Sequence, residues 1–253
     1  MYMKPATAHT PALIIYLIDA SVSMNEQCGT TTKIDAVSKA YYKAVQLMVQ
    51  RSMRDTLVLP RYRVAILAYN NAAVIDVLDG IRNLSDLVET GRFIIAPAGQ
   101  YADAARGFAE VEQLLLFSQS AFQHGPAPLV CHVSGMPLSQ QDASSVMRIV
   151  RRIRAIQVDD GRVLVENIYV SENALPAAVH DWQQWEGVLR EKDLANDDAK
   201  MLYHLSSSLP AAYRQSINDY GYQLHEKAAL FFPGLHQELV DLAFTASISV
   251  PIK

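Results

Sequence analysis

One short stretch of the sequence combines a carboxylate with two hydroxyls at a spacing that suits a cation. Asp19, Ser21 and Ser23 alternate along a turn that directly follows a run of apolar residues. All three side chains offer oxygen, the ligand atom that hard cations such as Mg²⁺ and Mn²⁺ prefer in proteins. The same residue types also cap loops and helices routinely, so a purely structural role for this turn stays open.

The apolar run before the turn, residues 12–18, is seven residues long. Spanning a bilayer takes roughly 20 residues, and neither a basic flank nor a cleavage site marks the run as a leader. A run of this length that ends in turn residues is typical of a strand buried on both faces of a parallel sheet. We therefore expect a cytoplasmic protein in which Asp19 stands at the end of a central strand.

Strands and helices alternate along the rest of the chain. Apolar runs predict further strands at 62–69, 72–78, 129–133, 163–170 and 201–205. Helical periodicity predicts a helix that begins near Thr32, and others at 101–117, 139–157, 182–190, 211–220 and 235–244, with a loop around 231–234. Only Asn70 and Asn71 separate two of the strands, and so short a connection predicts an antiparallel hairpin.

This alternation predicts an α/β fold, with a doubly wound, mostly parallel six-stranded sheet, one antiparallel edge strand and helices on both faces. Neither a repeat nor a linker divides the chain. We expect one domain over residues 1–208 and a helical extension, residues 209–253, packed on it. Ligands of such sheets bind at the carboxyl ends of the strands, which places the candidate site at the Asp19–Ser23 turn.

Composition narrows the class of protein. The chain has 253 residues, half of them apolar, with 19% charged residues and a formal net charge of −4. These values exclude a disordered chain and argue against a dedicated nucleic-acid binder, which would concentrate Lys and Arg. Cys28 and Cys131 are too few for a zinc site and are interpreted as free thiols.

The Asp-x-Ser-x-Ser turn, placed after the first strand, resembles the metal-ion-dependent adhesion site of the von Willebrand factor A (vWA) domain family. The resemblance covers residues 13–206 in element order, including the antiparallel third strand, and implies a Rossmann-like vWA fold. In that family, a Thr from a second loop and an Asp from the loop after the fourth strand complete the site. Here Gln100 or Tyr101 stands where the Thr is expected, and Ser134 replaces the Asp.

These two departures predict weak or no binding of Mg²⁺ or Mn²⁺. With Asp19 as its only nearby carboxylate, a divalent ion would be poorly neutralised. Two further arrangements are open. Asp103 could replace the missing carboxylate, or the Tyr101 hydroxyl could donate to Asp19 and fill the place of the metal.

The resemblance also implies what the protein does. In intact family members, the metal keeps one coordination position open for an acidic side chain of a partner protein. Without metal, the same rim could bind a partner through Gln100, Tyr101 and Met136, although ordinary exposed loop residues are the plain alternative. We therefore expect a non-catalytic protein-interaction module, with neither a nucleic acid nor a membrane as its partner.

The tail from residue 206 onward is similar to that of small, stand-alone bacterial vWA proteins. Such relatives are often encoded with metal-dependent protein phosphatases and Ser/Thr kinases in stress, tellurium-resistance and defence-type gene clusters. The resemblance implies a scaffold or sensor whose partner is a phosphatase, a kinase or another component of the same signalling or stress-response system.

One enzymatic alternative remains, a magnesium-dependent phosphohydrolase of the haloacid-dehalogenase type with Asp19 as its nucleophile. That class requires a second Asp as acid and base, at the position that Ser21 occupies here. Dinucleotide, P-loop and hydrolase-elbow motifs are not found in the sequence. Noncatalytic binding is therefore the favoured interpretation.

Two other groups of residues invite a functional interpretation. Arg148, Arg151, Arg152 and Arg154 share one predicted helix, where a solvated face is a simpler explanation than an anion-binding patch. His132 follows Cys131 directly, but neighbours in a strand point to opposite faces, so the two cannot act as base and nucleophile.

Overall fold

The main sheet is built around the strand that precedes Asp-x-Ser-x-Ser. A computed structural model describes residues 2–90, 95–137, 140–234 and 236–253. Within these residues the sheet contains β1 (Ala12–Asp19), β2 (Tyr62–Tyr69), β3 (Val74–Asp76), β4 (Arg82–Asn83), β5 (Leu129–Ser134), β6 (Leu164–Tyr169) and β7 (Phe231–Pro233). Every residue of β1 is buried, as expected of a strand covered on both faces.

The strands lie in the order β3-β2-β1-β5-β6-β7, and the short β4 pairs with the start of β2. β1, β2, β5, β6 and β7 run parallel, whereas β3 pairs antiparallel with β2. The chain order reverses between β1 and β5, so the loops after these two strands meet at one edge. The predicted doubly wound sheet and its antiparallel edge strand are confirmed.

Helices cover both faces of the sheet. They are α1 (Lys33–Ser52), α2 (Leu84–Thr90), α3 (Ala104–Ser118), α4 (Gln140–Ile153), α5 (Asp197–Leu205), α6 (Ala211–Asn218) and α7 (Gln237–Ser247). The core on one face draws on α1, α2, α6 and α7, and the core on the other on α3, α4 and α5. Short 3₁₀ turns occupy Val22–Asn25, Gln119–Ala121 and Glu191–Asp193.

α1 begins where its cap predicts. The Thr32 hydroxyl accepts a hydrogen bond from the Asp35 amide at 3.3 Å, which satisfies one of the free amides of the first turn. The predicted apolar face of α1 is buried against the sheet: Ile34, Val37, Tyr41, Val45 and Met48. Capping and periodicity therefore specify this helix locally.

The sixth strand lies elsewhere than predicted. Residues 201–205 belong to α5, because the Asn196 side chain caps that helix by accepting from the Ala199 amide at 2.8 Å. The strand that completes the sheet is β7, in the segment predicted as a loop. Its pairing with β6 supplies the hydrogen bonds that so short a segment could not make by itself.

The predicted helix at 182–190 is also wrong, because the segment is irregular. Its two tryptophans act as packing residues. Trp182 lies against Tyr222 with ring centroids 5.8 Å apart, and Trp185 lies against Phe232 at 6.2 Å. Burial of aromatic surface, rather than helical periodicity, holds this segment in place.

The C-terminal segment shares the core of the sheet. Residues 209–253 supply β7 as well as α6 and α7, and α7 packs against α1. Within the described residues, the loops also contain three short antiparallel pairs of two-residue strands: Gln27–Cys28 with Thr31–Thr32, Met53–Arg54 with Leu57–Val58, and Gln157–Val158 with Gly161–Arg162. Of the helices in the described residues, none has the length and apolarity that crossing a membrane requires.

Candidate functional site

Three loops meet at the carboxyl edge of the sheet, and backbone hydrogen bonds join the first to the second. The Ala20 amide donates to the Tyr69 carbonyl at 2.8 Å, which continues the β1–β2 pairing by one residue. The Ala98 amide donates to the Ala20 carbonyl at 2.7 Å, and the Val22 amide donates to the Gly99 carbonyl at 3.1 Å. The Asp-x-Ser-x-Ser turn is thus tied to the loop at residues 97–103.

Asp19 ties the first loop to the third. Its Oδ1 accepts from the Ser21 amide at 2.8 Å, and its Oδ2 accepts from the Gly135 amide at 3.0 Å. The side chain is fully buried, and desolvation raises its pKa above the ordinary value, although these hydrogen bonds and the nearby Lys33 ammonium act in the opposite direction. Both carboxylate oxygens therefore already serve the backbone of the loops.

The hydroxyls at the site are also engaged within the protein. Ser21 Oγ and Ser23 Oγ share a hydrogen bond of 2.9 Å. Ser134 Oγ, at the position of the acidic ligand in the related family, donates to the Met136 carbonyl at 2.9 Å and so holds the third loop in its turn. The structure brings Asp19, Ser21, Ser23 and Ser134 to one edge and satisfies each from its neighbours.

Lys33 is the site residue that the sequence analysis missed. Its side chain is 9% exposed, and Nζ donates to the Gly135 carbonyl at 2.8 Å and to Glu26 Oε2 at 2.7 Å. A cation in the first turn of α1 is unfavourably placed with respect to the helix dipole, so a partner outside the helix must hold it there. That unusual position, directly after the Thr32 cap, is the signal in the sequence that points to Lys33.

Two of the predicted site residues form their hydrogen bonds with groups other than Asp19. Asp103 caps α3, where its Oδ1 accepts from the Arg106 amide at 3.0 Å. The Tyr101 side chain is 53% exposed to solvent, while its carbonyl accepts from the Asn71 amide at 2.9 Å. In the described structure the Asp19 carboxylate accepts hydrogen bonds from Ser21 and from the Gly135 amide, not from Tyr101.

The side chains of these loops are poorly suited as ligands of a divalent cation. Asp19 is the one carboxylate at the centre, both of its oxygens accept amide hydrogen bonds, and the ammonium of Lys33 already stands nearby. Among the described residues, no group of three His, Cys, Asp or Glu side chains is placed to hold a metal ion. A second positive charge beside Lys33 would be repelled.

The outer surface of the loops carries apolar side chains. Val22 is 49% exposed and Tyr101 is 53% exposed, and Gln100 is also open to solvent, whereas Met136 is half-buried. Gly99 adopts a φ of +81°, and a Cβ there would come within 2.4 Å of Asn71 Oδ1, so glycine is required for this loop to close on the sheet. We call Val22, Gln100, Tyr101 and Met136 the rim surface.

A chain of buried hydrogen bonds runs beneath the site. His132 Nδ1 lies 2.8 Å from Asn167 Oδ1, which can only accept, so Nδ1 carries the proton. Nε2 then accepts from the Tyr69 hydroxyl at 2.7 Å. Burial lowers the pKa of His132 to about 4. His132 faces α3 and Cys131 faces the opposite core, as expected for neighbours in a strand.

This histidine makes stability depend on pH. The unfolded chain takes up the proton near pH 6.5 and the folded protein only near pH 4, so acidification between these values favours unfolding. The shift corresponds to a loss of about 3 kcal/mol across that window. Urea unfolding from pH 7 to pH 4 measures it, and the His132→Gln variant should lose this component of the slope. An unchanged slope in the variant would contradict the assignment.

Known proteins resemble this chain in structure. A scan of the sequence against models of protein families finds no match, and a search of curated proteins finds none either. Among solved structures, the chain is similar to the pilus adhesin SpaC from Lactobacillus rhamnosus GG, at 10% identity and a TM-score of 0.58, over 98% of this chain and 31% of that one.

Two further structures show the range of the similarity. The minor pilin PilB from Streptococcus sanguinis is 9% identical with a TM-score of 0.55, over 93% of this chain and 60% of that one. The SpRpn10 VWA domain is 15% identical with a TM-score of 0.44, over 64% of this chain and 76% of that one. At these identities the similarity concerns the fold alone.

The order of the strands identifies the class of fold. The sheet has six strands in its main order, of which β3 alone is antiparallel, and helices pack on both faces. Asp-x-Ser-x-Ser follows the central strand, at the edge where the chain order reverses. This arrangement is a vWA-like fold.

Proposed function

We propose that this protein is a non-catalytic interaction module of the vWA type, which binds a partner protein at the rim surface without a divalent ion. One observation carries the proposal. The polar groups of the Asp-x-Ser-x-Ser turn hydrogen-bond to their own loops, while the side chains that those loops present to solvent include Val22 and Tyr101.

The chemistry of the rim surface suits a protein partner. Tyr101 supplies a large aromatic ring at low conformational cost, and tyrosine is enriched among the residues that dominate binding energy at interfaces. Val22 adds apolar area, and Gln100 adds hydrogen-bonding groups at the edge. The backbone bonds that join the loops hold this surface in one shape before binding, which reduces the entropy lost on association.

Lys33 supports the metal-free part of the proposal. In the related family a divalent ion supplies the positive charge beside the Asp, whereas here an ammonium stands beside Asp19. Unlike a metal with an open coordination position, Lys33 is buried and donates to Gly135 and Glu26, so it is not available to an acidic group of a partner. Affinity at the rim surface is therefore expected to be independent of Mg²⁺ and Mn²⁺.

The alternative of a phosphohydrolase has less support. A nucleophilic Asp must reach the phosphorus atom of its substrate, and Asp19 is fully buried beneath the loops that its hydrogen bonds join. Ser21 occupies the position of the acid–base Asp, and its hydroxyl is bonded to Ser23. We retain this activity only as an outcome to be tested.

The class of partner is proposed on the sequence resemblance alone. Small bacterial vWA proteins with a similar tail are encoded beside metal-dependent phosphatases and Ser/Thr kinases. We therefore propose a phosphatase or kinase of such a signalling, stress or defence system as the first candidate, with binding in the cytoplasm.

Photo-crosslinking tests the rim surface directly. A photoreactive phenylalanine at position 101 should capture the partner in cells, whereas the same residue at position 117 should not. Phe117 is a matched control because it is 92% exposed. It lies near the far end of α3, about 20 Å from the rim at 1.5 Å of rise per residue.

Binding measurements with the purified partner complete the test. Tyr101→Ala is expected to weaken affinity about tenfold or more, and EDTA is expected to leave it unchanged. Capture from position 117 alone would overturn the rim surface as the interface. Loss of binding with EDTA would overturn the metal-free part, and magnesium-dependent phosphatase turnover abolished by Asp19→Asn would favour the enzyme instead.

A further inference from the structure

A cleft lies at the edge of the sheet opposite to the rim surface. It has a volume of about 460 Å³ and opens between the end of α4 and the start of β6. Its walls include Tyr2, Arg151, Arg154, Arg162 and Ser208. β6 begins at this cleft and ends near the other edge, so about 17 Å of strand separates the two regions.

The charge of the three arginines in the cleft is not balanced by carboxylates of the described residues. In the part of the chain that the structure describes, none of Arg151, Arg154 and Arg162 forms an ion pair. Arg152, on the same helix but outside the cleft, makes a bidentate pair with Glu112 at 2.6 Å for each bond. What distinguishes the cleft is that it brings three such guanidinium groups together in one concave site.

The acidic residues nearest to Arg162 in the sequence are engaged elsewhere. Asp160 accepts from the amides of Met3 and Lys4 at 2.8 and 2.9 Å. Asp159 pairs with Lys4 and with His124. Neither carboxylate neutralises the guanidinium groups that line the cleft.

Arg154 and Arg162 come from different elements and are held close enough to repel each other. Burial lowers the pKa of Arg154, and the charge of Arg162 lowers it further. The Arg154 guanidinium donates a long hydrogen bond, 3.5 Å, to the His204 carbonyl. Keeping two guanidinium groups together without a counterion costs stability, and an anion between them would remove that cost.

The lining of the cleft includes an aromatic ring, Tyr2, whose position requires a glycine. A Cβ at Gly161 would come within 2.7 Å of Tyr2 Cε1. The ring therefore packs directly on the backbone of Gly161. A cleft of a few hundred cubic ångströms with a few convergent polar groups is of the size that binds small ligands.

We propose that this cleft is a binding site for a small phosphate-bearing anion, held by the guanidinium groups of Arg151, Arg154 and Arg162. Guanidinium is the side-chain group whose planar fork matches phosphate oxygens two at a time. Because the cleft is compact, it suits a diphosphate or a phosphorylated metabolite rather than an extended polyanion. The site is distinct from the rim surface and does not depend on the partner proposed there.

Calorimetric titration with inorganic pyrophosphate at low salt tests the site in the whole chain. Arg162→Gln is expected to weaken pyrophosphate binding about tenfold or more, since it removes charged hydrogen bonds. Arg148→Gln is the matched control. Arg148 is likewise exposed and without a carboxylate partner, but it lies on α4 outside the cleft, so its loss should change affinity less than about twofold.

Thermal unfolding gives a second measurement. Without pyrophosphate, Arg162→Gln should raise the melting temperature because Arg154 loses a repulsive neighbour, and with pyrophosphate the wild type should gain more than the variant. Arg162→Lys keeps the positive charge but not the planar guanidinium fork, so it should bind pyrophosphate with intermediate affinity. It replaces Arg162→Gln as the test variant if the glutamine variant does not fold.

Three results would overturn the site. The first is no binding of millimolar pyrophosphate by the wild-type protein. The second is an equal loss of affinity in Arg162→Gln and Arg148→Gln, which would indicate diffuse attraction between charges. The third is tighter binding of a 20-nucleotide single strand than of pyrophosphate, which would indicate an extended nucleic-acid surface instead.

Discussion

Replacing Asp19 with alanine is expected to destabilise the protein by about 3–5 kcal/mol. The substitution leaves the buried amides of Ser21 and Gly135 without acceptors and removes the negative charge beside the ammonium of Lys33. The two amides and the ammonium belong to one buried cluster, so a single substitution removes the partner of all three groups at once. Urea unfolding at pH 7 gives the free energy directly.

Two further variants distinguish the effect of losing Asp19 from the effect of losing any hydrogen bond at the carboxyl edge of the sheet. Asp19→Asn keeps one acceptor oxygen but places an amide donor where the other stood, so an intermediate loss is expected. Ser134→Ala removes one hydroxyl that bonds within its own loop and should cost about 1 kcal/mol. A loss below about 1 kcal/mol for Asp19→Ala would show that these hydrogen bonds do not hold the loops together.

Replacing Glu166 with methionine is expected to stabilise the protein by about 1–3 kcal/mol at pH 8. Glu166 lies in β6 and is fully buried, and within the described part of the chain its carboxylate oxygens meet no N–H or O–H donor. The residue across the strand pair is Cys131, whose thiol is a weak donor. Desolvation raises the pKa of Glu166 well above its ordinary value. Methionine fills a similar volume without a polar group to desolvate.

The pH dependence identifies the cause. The unfolded chain releases the Glu166 proton near pH 4.3, whereas the folded protein retains it to higher pH, so the cost of this carboxyl grows as the pH rises. The gain from Glu166→Met should therefore be larger at pH 8 than at pH 5. Glu166→Gln, which does not titrate, should share the trend with a smaller gain. Equal gains at both pH values would contradict the buried-carboxyl explanation.

Local patterns were sufficient for most of the fold. The apolar run of β1, the two-residue connection before β3 and the cap of α1 each specify their element through nearby residues, and the structure agrees with all three. The sixth strand was missed because Phe231–Pro233 is too short to show a period of its own. Pairing with β6, more than sixty residues earlier in the chain, makes it a strand.

The candidate site divides in the same way. Asp19, Ser21 and Ser23 alternate within five residues of the chain, so their spacing alone predicts a candidate site. Lys33 was not recognised because its partner Gly135 is reached only when α1 packs beside the loop after β5. The exposure of Val22 is likewise a product of how the loops close.

Residue order alone thus established an α/β sheet with an oxygen-rich turn at the end of its central strand, since burial patterns and capping act over a few residues. Arg154 and Arg162 lie only eight residues apart, and the pairing of Gln157–Val158 with Gly161–Arg162 turns the chain between them. The hydrogen bonds of Asp19, by contrast, depended on contacts between distant segments, because Asp19 meets Gly135 across 116 positions. Packing creates such neighbours, and no local spacing encodes them.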